Sequence, residues 1–174
     1  MTFSVIPSVG SSSAVTPTYT VIDGAPADTG SDPRPQSTFS TPAPDATFEC
    51  SVDGGAWGTC ASPLRPAADL ADGAHTFAVR AVSRSGIRDA SPAVASFTVD
   101  TAVPAAPVLL GGPPPTGTAT TADIAFSTEA DASASCHVDG GVAAPCTSPL
   151  TLTGLTVGRH AVVIRQRDAA GNES

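Results

Sequence analysis

The fold is decided by a stretch that occurs twice: residues 48–64 read FECSVDGGAWGTCASPL, and residues 135–150 read SCHVDGGVAAPCTSPL. Further along, LADGAHTFAVRA at residues 70–81 matches LTVGRHAVVIRQ at residues 155–166. The paired cysteines and the VDGG, SPL and G-x-H motifs recur at offsets of 85 or 86 residues. Repetition at a fixed period indicates that one structural unit occurs twice along the chain.

Within each copy, apolar and polar residues alternate, which is the pattern of half-buried β-strands. Phe48, Cys50 and Val52 alternate with polar residues, and His75 and Phe77 share one face of a later strand. No long segment has the 3.6-residue period of an amphipathic helix, and the Asp-Gly-Gly motifs suit tight hairpins that need positive φ. The sequence therefore predicts an all-β chain of tandem β-sandwich repeats, about 85 residues each, with incomplete terminal repeats.

Shorter fragments extend the repeat to the front of the chain. MTFSV at residues 1–5 resembles HTFAV at residues 75–79. TPTYTVID at residues 16–23 resembles VASFTVD at residues 94–100. Both ends of the chain then cut the repeat out of phase, as in a piece of a longer array.

These matches predict three domains. We expect residues 1–23 to be the last two strands of a preceding repeat and residues 24–100 to be a first repeat with a shortened first strand. Residues 101–174 would be a second repeat that lacks its last strand. An unpaired strand edge attracts other strands. We therefore expect either a poorly stable second repeat or head-to-tail association, in which residues 14–22 of one molecule complete the second repeat of the next.

Charge and composition exclude several classes of function. The 174 residues carry 16 acidic and 8 basic side chains, for a formal net charge of −8. Nucleic acids and anionic membranes bind basic patches, so neither is an expected partner. No apolar run approaches the roughly 20 residues of a membrane span. No signal-peptide pattern is visible in the first 20 residues.

Each copy holds one pair of cysteines with nine residues between them. In a hairpin centred near Gly55, Cys50 and Cys60 lie opposite each other, and Cys136 and Cys146 do so in the second copy. Four cysteines allow three connectivities, and recurrence of the pair favours local disulfides. The rival is a zinc site, for which this spacing is unsuited. Disulfides imply an oxidising compartment, hence a secreted or cell-surface protein.

His75 and His160 begin equivalent strands directly after a glycine turn. A metal or pH site is the functional interpretation, but each copy has one such histidine and no second ligand nearby. We expect each to be a structural corner residue whose ring bonds loop backbone. Trp57 is the only tryptophan. Its ring would either stack on a sugar or pack over the Cys50–Cys60 disulfide.

No catalytic constellation is recognisable, because no serine lies in a G-x-S-x-G context and the carboxylates lie mostly in turns. We expect no enzyme and no cofactor. Calcium is the alternative, since Asp23, Asp100, Asp168 and Asn172 lie near predicted junctions or loops. Each junction offers one aspartate beside proline rather than three carboxylates, so turn capping is the favoured interpretation.

The quoted segments, with DAAGN at residues 168–172, resemble the Ig-like repeats of large bacterial cell-surface and secreted proteins. The resemblance covers residues 45–100 and 121–174, with residues 1–23 as a fragment. It implies an Ig-like β-sandwich, a tandem arrangement with neighbouring repeats as partners, and export. The first copy departs from the pattern with SRSGI at residues 83–87, where the second has the D-x-x-G-N turn.

Fold alone specifies function weakly. We expect a non-catalytic structural or adhesive segment of an exported bacterial array, that is, a stalk or spacer. An adhesive role would have a cell-surface polysaccharide or protein as partner. The alternative is a carbohydrate- or protein-binding module appended to a secreted enzyme, with Trp57 and adjacent loops as the contact.

Overall fold

The computed structural model describes residues 19–174, and all thirteen regular elements in that range are β-strands. The all-β prediction is confirmed. The first unit, residues 19–100, contains β1 (Val21–Gly24), β2 (Thr29–Gly30), β3 (Thr38–Ser40), β4 (Thr47–Val52), β5 (Gly58–Cys60), β6 (Gly73–Val82) and β7 (Ala93–Val99). The second unit, residues 101–174, contains β8 (Val108–Gly111), β9 (Ala122–Ser127), β10 (Ser133–Val138), β11 (Ala144–Cys146), β12 (Leu150–Leu152) and β13 (Val162–Arg167).

Each unit places two sheets face to face. The first unit has a five-stranded sheet in the order β2-β7-β6-β4-β5 and a two-stranded sheet β1-β3. The second has three-stranded sheets β11-β10-β13 and β12-β9-β8. Every pairing is antiparallel except that of β2 with β7, which is parallel. Across residues 19–174, no helix has the length and apolarity that a membrane crossing demands.

The core of the first unit lies between its sheets. Residues from β3, β4, β6 and β7 alternate inward, as the period-2 pattern predicts, and form one buried cluster: Phe39, Cys50, Phe77, Val79, Phe97 and Val99. The ring of Phe39 meets Phe48 edge-on, with centroids 4.9 Å apart. Burying each large apolar side chain contributes about 1.5–3 kcal/mol, so this cluster supplies much of the unit's stability.

The repeated motifs adopt the same local structure in both units. The Asp-Gly-Gly hairpins turn through positive φ at Asp53 and Gly54, and at Asp139 and Gly140. This is the conformation that tight hairpins require and that Asp and Gly tolerate.

The serine of each SPL motif binds the facing sheet. The Ser62 hydroxyl accepts the Phe39 N–H at 2.9 Å, and the Ser148 hydroxyl accepts the Phe126 N–H at 2.9 Å. Both serines precede a cis proline.

The structure corrects the expected start of the first unit. Ile22 lies opposite Phe39 in β1 and β3, as Leu109 lies opposite Phe126 in β8 and β9. Each pair is 17 residues apart in sequence, and β1 and β8 both have four residues. The first strand of the first unit is therefore not shortened.

Residues 21–23 consequently belong to the first unit, and their assignment to a preceding repeat is wrong. TYTVID at residues 18–23 is similar to SFTVD at residues 96–100 because the first and last strands of a sandwich share the same alternation of β-branched and polar residues. The rest of the predicted preceding repeat, residues 1–18, lies outside the described residues.

The second unit is less completely covered. Its buried apolar residues are Ala122, Ile124, Phe126 and Cys136. Val162 and Ile164 on β13 are only half-buried. Within residues 19–174, β13 pairs with β10 on one side. On its other edge, Arg167 forms an antiparallel bridge with Glu173, and the Ser174 N–H donates to the Gln166 carbonyl at 3.0 Å.

Candidate functional site

The structure joins Cys50 to Cys60 and Cys136 to Cys146, with Cα atoms 5.9 and 5.8 Å apart. The strand register corrects one detail: Cys50 lies opposite Gly58, not opposite Cys60. The hairpin is centred on Gly54 rather than Gly55, so the disulfide joins diagonal neighbours, which are still within reach across a sheet.

A histidine and an aspartate join the VDGG hairpin of the first unit to the loop before β6. The two ring nitrogens of His75 make separate contacts: Nδ1 lies 2.7 Å from Asp53 Oδ2, and Nε2 lies 2.7 Å from the Ala71 carbonyl oxygen. The other carboxylate oxygen of Asp53 accepts the Thr76 N–H at 2.8 Å. His75 therefore bonds loop backbone as a corner residue does, and the aspartate of the VDGG motif is its second partner.

The second unit repeats this arrangement. His160 Nδ1 lies 2.7 Å from Asp139 Oδ2, and its Nε2 lies 2.9 Å from the Thr156 carbonyl oxygen. Asp139 Oδ1 accepts the Ala161 N–H at 2.8 Å. The sequence shows the aspartate and the histidine as separate motifs about 21 residues apart, and only the hairpin register brings them together.

Both partners of each histidine ring are hydrogen-bond acceptors, so the charged imidazolium, which donates from both nitrogens, fits best. The hydrogen bonds to Ala71 and then to Asp53 raise the pKa of His75. Burial alone would raise the pKa of Asp53, but the bonds from His75 and Thr76 outweigh burial and lower it. Each pair is thus a charged clamp that fixes a loop.

The pKa values of the second clamp shift in the same directions as those of the first. The hydrogen bonds of His160 to Asp139 and then to Thr156 raise the pKa of His160, and the bond from His160 lowers the pKa of Asp139. The His160 side chain is 23% exposed, compared with 10% for His75. The extra cover over His75 includes Phe97, whose ring centroid lies 5.8 Å away.

Trp57 lies in a charged stack on the outer face of the first unit. The guanidinium carbon of Arg80 lies 4.1 Å from the centroid of its ring, which is a cation–π contact. Arg80 Nη2 lies 2.7 Å from Glu49 Oε2, and Arg88 Nε lies 3.0 Å from the same oxygen. Hydrogen bonds from Arg88 and then Arg80 lower the pKa of Glu49.

The sequence analysis does not predict this stack, although the positions of Glu49 and Arg80 on neighbouring strands indicate it. Glu49 and Arg80 lie directly opposite each other in the β4–β6 register, and both occupy polar positions of alternating strands. The structure places Trp57 against Arg80, which covers one face of the half-buried indole.

Each unit has one buried polar side chain, not singled out in the sequence analysis, that fixes the start of the unit. In the first unit, the Thr20 hydroxyl accepts the Ala81 N–H and donates to the buried Asp89, both at 2.8 Å. In the second, the fully buried Gln166 accepts the Glu129 N–H at 2.8 Å and donates to the Ala105 carbonyl.

The boundary between the units, at Asp100 and Thr101, is held by hydrogen bonds from both sides. Asp72 Oδ1 in the first unit accepts the N–H and the hydroxyl of Thr101, each at 2.8 Å. Asn172 Nδ2 in the second unit donates to the Asp100 carbonyl at 2.8 Å. We call this set, Asp72, Asp100, Thr101 and Asn172, the junction.

The residues considered for calcium make hydrogen bonds instead. Asp23 accepts the Ser40 hydroxyl at 3.0 Å, and Asp100 caps the Ala102 N–H at 3.0 Å. Asp168 accepts the side-chain amide N–H and the backbone N–H of Asn172, each at 2.9 Å, and the side-chain bond is the largest cause that lowers the pKa of Asp168. In the part of the chain that the structure describes, no three His, Cys, Asp or Glu residues cluster as metal ligands.

No family model matches the chain, and no curated protein does. Among solved structures, it is similar to the fibronectin(III)-like modules of CbhA from Clostridium thermocellum, with 17% identity over 90% of this chain and 89% of that one and a TM-score of 0.61. The apo structure of β-glucuronidase 3 from Bacteroides uniformis aligns over 92% of this chain but 24% of its own, with 12% identity and a TM-score of 0.37.

At this level of identity the first likeness establishes the fold alone, an Ig-like β-sandwich of the fibronectin kind. The second carries no argument. The function of the chain must therefore be argued from its own residues.

Proposed function

We propose that this chain is a non-catalytic spacer, in which residues 19–100 and 101–174 are two successive Ig-like repeats held at a fixed angle. The observation that carries the proposal is the junction, where Asp72 binds Thr101 from one side and Asn172 binds Asp100 from the other. A boundary that is bonded from both units, at Asp100 and Thr101, leaves little freedom for a hinge.

Further residues support a spacer rather than a reactive site. The two His–Asp clamps and the Glu49 stack contain the most prominent charged groups. Their hydrogen bonds go to loops and neighbouring strands of the same unit. A catalytic group must instead offer a free atom to substrate. Both histidine rings have both nitrogens engaged, so neither offers a base.

We further propose that the chain is exported, because its two disulfides persist in oxidising compartments and are reduced in most cytosols. Together with the resemblance to bacterial surface repeats, this extends the proposal to a secreted or cell-surface array. Adhesion to a surface polysaccharide or protein is the further role that such an array would support.

The spacer proposal is tested by the tumbling of the two units. We expect ¹⁵N relaxation to give both units of the full chain one shared rotational correlation time. The double variant Asp72→Ala, Asn172→Ala removes the side-chain bonds of the junction, so the correlation times should separate and the X-ray scattering curve should show a wider range of lengths.

Asp69→Ala is the matched control, because it removes an exposed aspartate three residues from Asp72. It should leave the shared tumbling unchanged. Independent correlation times in the unaltered chain would contradict the proposal. Amide spectra of each variant separate a loosened junction from an unfolded unit.

The alternative function, a carbohydrate- or protein-binding module, depends on Trp57. Arg80 covers one face of its ring, so a sugar would stack on the other face. Binding to a polysaccharide panel that quenches Trp57 fluorescence and is lost in Trp57→Ala would favour this module. Retention of binding in Trp57→Ala would assign the contact elsewhere.

A further inference from the structure

The stack of Trp57 with Arg80, Glu49 and Arg88 belongs to the first of the two units, although the strands that carry it recur in the second. The strand registers and the bridge after each histidine strand identify the equivalent positions. In the order Trp57, Glu49, Arg80 and Arg88, these are Ala143, Ser135, Arg165 and Glu173. Because the second unit forms the same hairpin and strands without the indole, the fold does not require the stack, whereas both units have the disulfide and the His–Asp clamp.

The charges within the stack are unbalanced. Arg80 Nη2 and Arg88 Nε lie 2.7 and 3.0 Å from the same oxygen of Glu49, and among residues 19–174 no other carboxylate pairs with either arginine. One carboxylate therefore serves two guanidinium groups, and one positive charge is left over. The chain as a whole has a formal net charge of −8, so this spot has the opposite sign to its surroundings and attracts an anion.

Both guanidinium groups retain hydrogen-bond donors for such an anion. Arg80 and Arg88 each direct Nε and Nη2 to Glu49, and the Nη1 of each makes no hydrogen bond to residues 19–174. The Arg88 side chain is 56% exposed, compared with 21% for Arg80, so Arg88 is the arginine that a ligand reaches first. Hydrogen bonds from arginine to a carboxylate are short and strong because both partners are charged.

Trp57 places a flat apolar surface beside this charge. Arg80 covers one face of the half-buried indole. Trp57 directly precedes β5, the edge strand of the five-stranded sheet, so within residues 19–174 no strand of that sheet lies beyond the ring. Trp57 lines neither the cavity of about 370 Å³ beside β2 and β7 nor the cavity of about 280 Å³ beside the disulfide. The stack is therefore an open platform rather than a pocket of the kind that anchors a partner's side chain.

We propose that the stack binds an acidic sugar, namely a uronate unit of an anionic polysaccharide, with the sugar ring on the open face of Trp57 and its carboxylate at Arg88. The C–H face of a sugar ring packs on an indole while its hydroxyl groups stay in water. The carboxylate accepts the free N–H groups and balances the remaining positive charge, which a neutral sugar leaves in place. This site deepens the alternative function and does not depend on the rigid junction, so its failure would leave the spacer proposal intact.

The test titrates the isotope-labelled full chain with a short oligogalacturonate. Trp57 is the only tryptophan, so a saturable change in fluorescence reports binding at the stack, and amide shifts should be confined to the first unit. Added salt should weaken binding, because the charges lie at the surface and are screened. The methyl-esterified oligogalacturonate keeps the sugar rings without the charge, and we expect it to bind more weakly by on the order of tenfold.

Two variants separate the charge from the ring. Arg88→Gln leaves Arg80 bonded to Glu49, so it should weaken binding of the oligogalacturonate by about tenfold and leave that of the methyl ester unchanged. Trp57→Ala should abolish the amide shifts caused by either oligosaccharide. Arg167→Gln is the matched control, because Arg167 is 57% exposed and pairs with Glu173 in the second unit, and it should leave binding unchanged.

Four results would overturn the proposal. They are no saturable response to the oligogalacturonate, equal binding of its methyl ester, unchanged binding in a folded Arg88→Gln variant, and equal amide shifts with polyglutamate. The second result would assign a neutral sugar to Trp57, and the last would assign the site to an acidic protein chain. The salt series and the ester comparison use the unaltered chain, so they decide the proposal even where a variant loses its fold.

Discussion

The first and second units use the same motifs but cover their cores differently. Both have a disulfide across a VDGG hairpin, an SPL serine bonded to the facing sheet, and a His–Asp clamp. Only the first has a strand, β7, beside the histidine strand within the described residues. The motifs therefore fix loops and hairpins, while completeness of the core depends on a strand that carries none of them.

The difference should be largest for a core side chain on the histidine strand. Phe77→Ala removes a buried ring and should lower the free energy of unfolding of the first unit by about 3–5 kcal/mol. The equivalent Val162→Ala removes half-buried methyl groups and should cost about 1 kcal/mol. Trp57 fluorescence, the only tryptophan signal, follows denaturation of the first unit, and amide resonances follow the second.

Equal losses for Phe77→Ala and Val162→Ala would show that the second unit is as well packed as the first.

The disulfides should give the next largest effect. Cross-linking a loop of this size stabilises by about 2–3 kcal/mol on the chain-entropy argument. The pair of substitutions Cys50→Ser, Cys60→Ser should therefore leave the first unit folded but weaker. Cys136→Ser, Cys146→Ser should remove a larger share of the stability of the second unit, whose core is smaller.

Denaturant titration of both double variants, against the parent in oxidised and reduced form, measures these losses. A first unit that unfolds while the second survives would reverse the ranking. Reduction of the parent should reproduce the sum of the two losses, since the disulfides lie in separate units.

The sequence predicted the strands, the hairpins and both disulfides because each rests on local signals: alternation, Asp-Gly-Gly and paired cysteines. It failed where pairing is long-range. The alternation of residues 21–23 suits a preceding repeat as well as the first unit, because alternation does not specify the neighbouring strand. Only the pairing of Ile22 with Phe39 does so.

The clamp and the stack illustrate the same limit. His75 was recognised as a corner residue from its place after a glycine turn, but its partner Asp53 is 22 positions earlier in the chain. Arg80 and Glu49 became neighbours of Trp57 through the β4–β6 register. A sequence identifies such residue types, whereas register decides which of them meet.

The two clamps should give a smaller, pH-dependent effect. Because the pKa values of His75 and His160 are raised, the clamps stabilise the folded state at pH values below the unfolded-state pKa of about 6.5. This contribution is lost as pH rises through the pKa of the folded state. Because the pKa values of Asp53 and Asp139 are lowered, these carboxylates stabilise the folded state at pH values above the unfolded-state pKa of about 3.9. This contribution is lost as pH falls through the pKa of the folded state. Stability should therefore be greatest between these limits.

Proton NMR titration of the imidazole signals checks this prediction. Both histidines should titrate above the usual value for histidine. Asp53→Asn should lower the pKa of His75 and leave that of His160 in place, so the second unit serves as the control within the same molecule. Unchanged titration of His75 in that variant would show that Asp53 does not hold the ring.

The smallest effect should come from the stack that only the first unit has. The second unit has Ala143 and Arg165 at the positions of Trp57 and Arg80, so it lacks the ring. A double-mutant cycle of Trp57→Leu and Arg80→Met should give a coupling of about 0.5–1 kcal/mol, the usual range for an exposed cation–π pair. Arg165→Met is the matched control and should change stability less than Arg80→Met, because Arg80 also binds Glu49. A coupling near zero would mean that Glu49 alone positions Arg80, leaving the indole free to meet another molecule on either face.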